Sequence, residues 1–445
     1  MHEQGDESFD YTIEFARFRI DQYAEGGEKV KTMVVNPQDT LYFESESTMM
    51  EAPHLYSTGA DYGLMDFESL KEEISLDVGR DVYREVPESD AASMRGGVHK
   101  GIGLGFFMPS VDLFGLGERE DTLVLKRTTG SAAYDMWAYD NPHEPNKMDG
   151  LYGNMPYVQG IGDTSTQAIT WVNSAHTWVF LDDATYQNVT GSNINFVSET
   201  GALELFLFSS AIPTSETTNR NKRVSYDVST VTGFAPLPPR HTLGFHFSKW
   251  DIVSSDILRQ RNKNFTDYNF PVDVLVMDIQ WAEYNSDADG YQYFRFNPQN
   301  FTQPDIEKMN AEVEAEGRFI TTILDPHIKV SDDYFVYSDG QELQSKKKEI
   351  FVKDESGKKD FEGTCWPGNS VWIDFLNKDA QKYWSGLYDY NKFKGSSKIY
   401  HAWNDMNEPS VFSESTKTVP LTAKHVRETG EMVEHRDFHN AYGAT

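Results

Sequence analysis

Residues 398–412 read KIYHAWNDMNEPSVF, a short apolar run followed by two carboxylates three apart and then a proline. The run through Trp403 has the composition of a buried parallel strand. Pro409 stops it, because proline lacks the N–H that a sheet ladder needs. Asp405 and Glu408 therefore fall just past a strand end. In (β/α) barrels that is where chemistry sits, since the strand ends are rigid and the loops after them are free to vary. A D-x-x-E pair by itself usually caps a helix or solvates a loop. Flanked by the apolar surfaces of Trp403 and Met406, this pair reads instead as part of a substrate site.

Three more apolar runs precede it, at Thr242–Phe247, Val272–Ile279 and Phe319–Leu324. Each ends in polar or aromatic groups: Lys249, Trp250 and Asp251 after the first, Asp278 after the second, and Asp325-Pro326-His327-Ile328 after the third. Helical spacing lies between the runs. Ile306, Met309 and Val313 share a face with Gly317 at the expected C′ position, and Ala380, Tyr383, Trp384 and Leu387 repeat the spacing behind Asn377 as N-cap. Four strand-and-helix units in order predict the first half of a (β/α)₈ barrel over residues 236–445, with an insertion at about 329–376. A whole barrel takes about 250 residues, so the chain is expected to stop after the fourth strand.

The stiff turn Ala235-Pro236-Leu237-Pro238-Pro239 marks the predicted domain boundary. Upstream, residues 1–235 alternate short β-like runs, such as YTIEF, TLYFE, TWVFL and ALELFLF, with Gly, Asp, Asn and Ser. Helical periodicity is scarce there, and the pattern predicts an N-terminal β-sandwich. Residues 65–98 are polar and read as a loop.

Composition narrows the function. The net charge of −30, from 70 acidic and 40 basic residues, opposes nucleic acid and anionic membranes as partners. Aromatic residues make up 13%, and sugar sites use such rings as apolar platforms with a polar edge. Cys365 is the only cysteine, so there is no intrachain disulfide, and it has no base partner visible in the sequence. No run of eighteen apolar residues exists. Three sequons, at Asn188, Asn264 and Asn300, are compatible with a lumenal or secreted protein. Asn285, Asp287, Asp289 and Gly290 imitate the start of a calcium loop, but its twelfth position is Phe296 rather than glutamate. His435 and His439 lie four apart with no third zinc ligand in sight, which favours a packed or capping pair.

The string WNDMNEPSVF resembles the active-site signature of glycoside hydrolase family 31. The likeness runs from about Val111 to Gly443. LYGNMPYV (151–158), DPHIKV (325–330), FEGTCWPGNSVWIDF (361–375) and EHRDFHNAYG (434–443) carry it towards the branch that trims glucose from N-linked glycans. The resemblance implies a retaining α-glucosidase of the endoplasmic reticulum lumen with no cofactor and no metal. Its substrate would be an oligosaccharide ending in α-glucose, and a lectin-like β subunit its partner. Asp405 would be the nucleophile, Trp403 and Met406 would line the subsite of the cleaved glucose, Asp278 with Ile279 would hold sugar hydroxyls, and Trp366 and Ile328 would wall the pocket. Asp140, in WAYDN, matches the loop that the N-terminal domain sends to the family's site. Retention needs a second carboxyl roughly 5–5.5 Å from the nucleophile to protonate the leaving oxygen. The family's acid/base is expected beyond Thr445, so these residues by themselves are expected to be inactive. Phe247, Lys249, Met277, Gln280 and Trp281 depart from that branch's pattern and are expected on the substrate side. Two alternatives remain: a family member acting on other α-glucans or α-xylosides, and a non-catalytic carbohydrate-binding relative.

Overall fold

The computed structural model describes residues 9–14, 19–24, 30–37, 42–43, 101–128, 133–141, 143, 150–210, 217–284 and 290–444. Residues 65–98 and the Asn285–Asp289 part of the calcium-loop imitation lie outside them. The chain divides into two compact units, Met1–Phe234 with Arg436–Ala441, and Ala235–His435 with Tyr442–Thr445.

The first unit holds two antiparallel sheets. One is built from β1 (Phe9–Glu14), β2 (Arg19–Ala24), β3 (Val30–Val35), β4 (Tyr42–Phe43), β5 (Ile102–Met108), β7 (Tyr134–Met136), β10 (Thr177–Tyr186) and β11 (Val189–Ser198). The other is built from β6 (Asp112–Gly115), β8 (Tyr157–Ile161), β9 (Thr166–Trp171) and β12 (Leu205–Ser210). Leu104, Phe106 and Met108 of the first share one core with Val158, Ile169 and Trp171 of the second. β8 alternates between buried and half-buried positions, as its period of two requires. The glycines at 101–105 are part of the wholly buried β5 and its approach.

A helix, α1 (Thr217–Thr232), follows where the sequence predicts only strands. Its Thr, Ser and Val content suits strands, but its buried side is small and mixed: Val224 joins Ala168 and Phe208, and the buried Arg220 donates to the carbonyls of Gly162 and Asp163. Arg436–Ala441 also belong to this unit. The Asn440 side chain accepts from the Ala138 N–H and donates to the Met136 and Ala175 carbonyls, and His439 stacks on Trp137 at 3.4 Å.

In the second unit β13 (His246–Phe247), β14 (Val274–Met277), β17 (Phe319–Leu324) and β21 (Tyr400–Asn404) form one parallel sheet in that order. The helices α2 (Ser255–Asp267), α3 (Gln303–Ala315) and α5 (Lys378–Gly386) lie between successive strands of the sheet. Their caps explain their bounds. The Ser254 side chain accepts from Ile257 N–H, Asn377 from Asp379 N–H, and α3 ends at Gly317, whose φ of 68° suits glycine. Ile306, Met309 and Val313 are buried as their spacing predicts.

Two details differ from the sequence reading. The first apolar run pairs only at His246–Phe247, because Pro238 and Pro239 supply no N–H and Arg240–Leu243 coil into a 3₁₀ turn closed by Gly244. β14 is buried throughout, but β13 and β21, the outer strands, are partly exposed. After β17 come β18 (His327–Lys329), α4 (Phe335–Ser345), β19 (Gly363–Cys365) and β20 (Gly368–Trp372), with the three strands paired as a small sheet. In the lysine-rich stretch that follows α4, Ile350, Phe351 and Val352 are fully buried. β15 (Ala282–Tyr284) pairs with β16 (Tyr291–Phe296), and β22 (Lys424–Val426) with β23 (Met432–Glu434). No helix among the described residues is long and apolar enough to cross a membrane.

Candidate active site

Three neighbouring strands each deliver an aspartate at the C-terminal end: Asp278 follows β14, Asp325 follows β17, and Asp405 follows β21. The register aligns Thr322 with both Met277 and Ala402, and Leu324 with Asn404. Asp278 is thus level with Trp403, and Asp405 lies two strand spacings across and two residues further along, about 12 Å away at the backbone.

Asp405 is half-buried. Met406 after it takes a left-handed φ of 61° and tucks its side chain into the protein, with its carbonyl accepting the Ser410 N–H at 3.0 Å. That conformation costs a non-glycine residue roughly 1 kcal/mol, and it turns the chain off the strand so that Asp405 stands at the bend. Glu408, three residues on, is buried. Trp403 packs partly against the core, beside Ile323 in register. A cleft of about 660 Å³ lies against the sheet, lined among others by Val276, Thr321, Trp403 and Asn404, and none of the three aspartates lines it.

Asp278 caps the short turn Ile279–Trp281, accepting the Ile279 N–H at 2.7 Å. Burial raises its pKa; the Ile279 hydrogen bond works against that rise and the Asp325 charge adds to it. Ile279 and Ile328 are buried in the apolar core. Trp366 occupies the tip between β19 and β20, is about half exposed (48%), and meets Phe412 edge to face at 4.8 Å. The Phe412 N–H donates to the Thr364 carbonyl and Thr364 N–H to the Ser413 hydroxyl, which fastens this tip to the loop that carries Asp405. Asp140 belongs to the first unit, where it is exposed and accepts from the Tyr152 hydroxyl at 2.9 Å.

Some expected substrate-side positions are core instead. Trp281 and Met277 are buried, and the Trp281 Nε1–H donates to the Ile323 carbonyl, because the turn after Asp278 rotates the indole inward. Lys249 stays exposed and pairs with Asp251, which also binds Arg261. His435 and His439 do not form a metal pair: His435 Nδ1 meets His425 and His439 Nε2 meets the Ala138 carbonyl.

The sequence reading missed a buried polar cluster beneath the site. The Tyr293 hydroxyl donates to Asp325, and His327 Nε2 lies 3.3 Å from the same carboxylate. Burial opposes charge on His327, but Cys365 and Asp325 beside it overcome that and push its pKa up from 6.5 to about 10. Cys365 therefore has a histidine neighbour that only the fold reveals. A raised folded-state pKa means that the folded protein keeps a proton which the unfolded chain releases, so this stabilisation is complete below pH 6.5 and is lost as pH rises towards about 10. Denaturation midpoints of wild type and His327→Gln, compared across that interval, should converge as pH rises. A constant difference between them would show that His327 is not charged in the fold.

A family model described as "Glycosyl hydrolases family 31 TIM-barrel domain" matches residues 235–445, and one described as "Glycosyl hydrolase 31 N-terminal galactose mutarotase-like domain" matches residues 3–179. The chain belongs to glycoside hydrolase family 31. The "Neutral alpha-glucosidase AB" of Dictyostelium discoideum is 33% identical over 348 residues, which is 77% of this chain and 34% of that protein. A crystal structure of glucosidase II alpha subunit in a Glc1Man2-bound form matches with a TM-score of 0.76 at 28% identity, covering 98% of this chain and 43% of the other. The catalytic subunit of an ER glucosidase II heterodimeric complex, solved with the binding domain of its regulatory subunit, matches with the same TM-score and identity over 100% of this chain and 45% of the other. The chain spans about a third of the length of the curated relative it matches.

Proposed function

We propose that this chain carries the nucleophile of a retaining α-glucosidase that removes terminal α-linked glucose. The observation that carries the reading is the half-buried Asp405 at the bend beyond a parallel strand, with a second carboxylate, Asp278, two strands away. In this reading the four parallel strands are the first half of a (β/α)₈ barrel that follows an N-terminal β-sandwich in the chain, divided near residue 235. Asp405 attacks the anomeric carbon and holds the glucosyl group covalently until water displaces it. Asp278 binds ring hydroxyls and stabilises positive charge on the sugar at the transition state. Trp366, Trp403 and Met406 line the pocket, and Ile279 and Ile328 support it; Asp140 matches a family loop position in the first unit. No general acid is assigned among residues 1–445. The relatives that bind glucosylated mannose and pair with a regulatory subunit support an N-glycan substrate, a lectin-like β partner and the endoplasmic reticulum lumen.

Treating the protein as expressed in its own cells with 5-fluoro-glucosyl fluoride should trap the covalent intermediate. Peptide mass spectrometry is expected to find the label on the peptide bearing Asp405. Label on Glu408, or none alongside active turnover, would remove Asp405 from the nucleophile role.

A further inference from the structure

We propose that Asn188 carries an N-linked glycan and that Asn264 and Asn300, the other two sequons, do not; the proposal rests on the lumenal reading above. Asn188 and Gln187 are the two residues that close the β10–β11 hairpin, between the paired Tyr186 and Val189. Both take left-handed φ values, 66° and 49°, as the commonest two-residue hairpin turns require, and asparagine tolerates that conformation. Gln187 through Thr190 are all exposed, and the Asn188 amide has no hydrogen-bond partner among the described residues. A sugar attached here projects from the sheet into water and displaces nothing.

The other two sequons are engaged. Asn264 lies inside α2, where residues two apart do not face each other, so its amide and the Thr266 hydroxyl cannot converge on one acceptor geometry. Its Oδ1 already accepts from Gln260 at 2.7 Å, and Thr266 Oγ1 bonds back to the Asn262 carbonyl. Asn300 sits in a closed turn: its N–H bonds to the Asn297 carbonyl and its own carbonyl takes the Ser255 N–H at the start of α2. Phe301 between Asn300 and Thr302 is buried, and the Thr302 hydroxyl donates to Asp305.

The transfer balances simply. The Asn188 Nδ2 forms a bond to the anomeric carbon of an oligosaccharide held on a polyprenyl pyrophosphate. The bond from that carbon to the pyrophosphate oxygen breaks, the lipid pyrophosphate leaves, and an amide proton passes to the transferase. Asn264 and Thr266 are exposed as well, so the difference is backbone conformation: Asn264 is locked inside a helix and Asn300 in a closed turn, whereas Asn188 stands at a protruding hairpin tip.

The test is glycopeptide mapping of the protein from its own cells, with deglycosylation in heavy-oxygen water to mark each occupied asparagine. Occupancy at 188 alone, lost in both Asn188→Gln and Thr190→Ala, is the expected result; the second variant keeps the asparagine and removes only the sequon. A glycan at 264 or 300 with 188 empty would overturn the proposal. If the native protein carries none, a second form with a cleavable signal peptide separates the two readings. Glycosylation at 188 in that form sinks the lumenal reading and upholds the site, and absence there, in cells that glycosylate a control protein, sinks the site.

Discussion

In the proposed nucleophile role, Asp405→Asn is expected to lower turnover of an aryl α-glucoside by about 10⁴-fold or more and to leave the fold intact. The amide is nearly the same shape as the carboxylate but neutral, so it neither attacks the anomeric carbon nor stabilises the charged sugar. Because Asp405 is half-buried at a bend rather than in the core, the change in stability stays within about 0.5 kcal/mol. Asp405→Ala adds a second readout, because it leaves room for a small anion. Azide should restore part of the rate and yield a glucosyl azide of inverted configuration, since one displacement then replaces two. Activity within tenfold of wild type for Asp405→Asn, measured on the protein as expressed, would assign the attack elsewhere.

What could be read from the sequence follows from how local each signal is. β14, β17 and β21 announce themselves as apolar runs, and α3 and α5 by spacing, cap and C′ glycine, all within a dozen neighbouring residues. Asp278 and Asp405 were legible for the same reason: each directly follows its strand. Trp281 was misread although it is only three residues past Asp278, since the 3₁₀ turn that reverses its direction has no strong signature. α1 was missed because its buried side rests on Arg220 and Val224 rather than an apolar stripe. Partners distant in the chain were invisible altogether. Tyr293 meets Asp325 across 32 positions, and Asn440 meets Ala138 across 302, so neither spacing nor composition marks them.

The largest stability effect among the polar residues is expected at another such long-range contact. Asp374, His425 and His435 are fully buried and form a chain: Asp374 Oδ1 meets His425 Nδ1 at 2.7 Å, and His425 Nε2 meets His435 Nδ1 at 2.9 Å. The same carboxylate accepts the Val426 N–H at 2.8 Å and the Leu376 N–H at 3.2 Å, so it joins the segment after β20 to the β22–β23 hairpin. Asp374→Ala strips the acceptor from three donors at once. Each such loss costs about 1–3 kcal/mol, and the effects overlap, so the expected total is about 3–5 kcal/mol, as for other buried pairs broken from one side. Asp374→Asn should lose less, because its carbonyl still serves some of the donors while its NH₂ group must face another. Guanidinium denaturation followed by tryptophan fluorescence reads the difference, with Trp372 and Trp384 both in the affected unit. A loss below about 1 kcal/mol for Asp374→Ala, an ordinary surface value, would mean that water or rearrangement satisfies those donors and that the chain of histidines does not hold the hairpin.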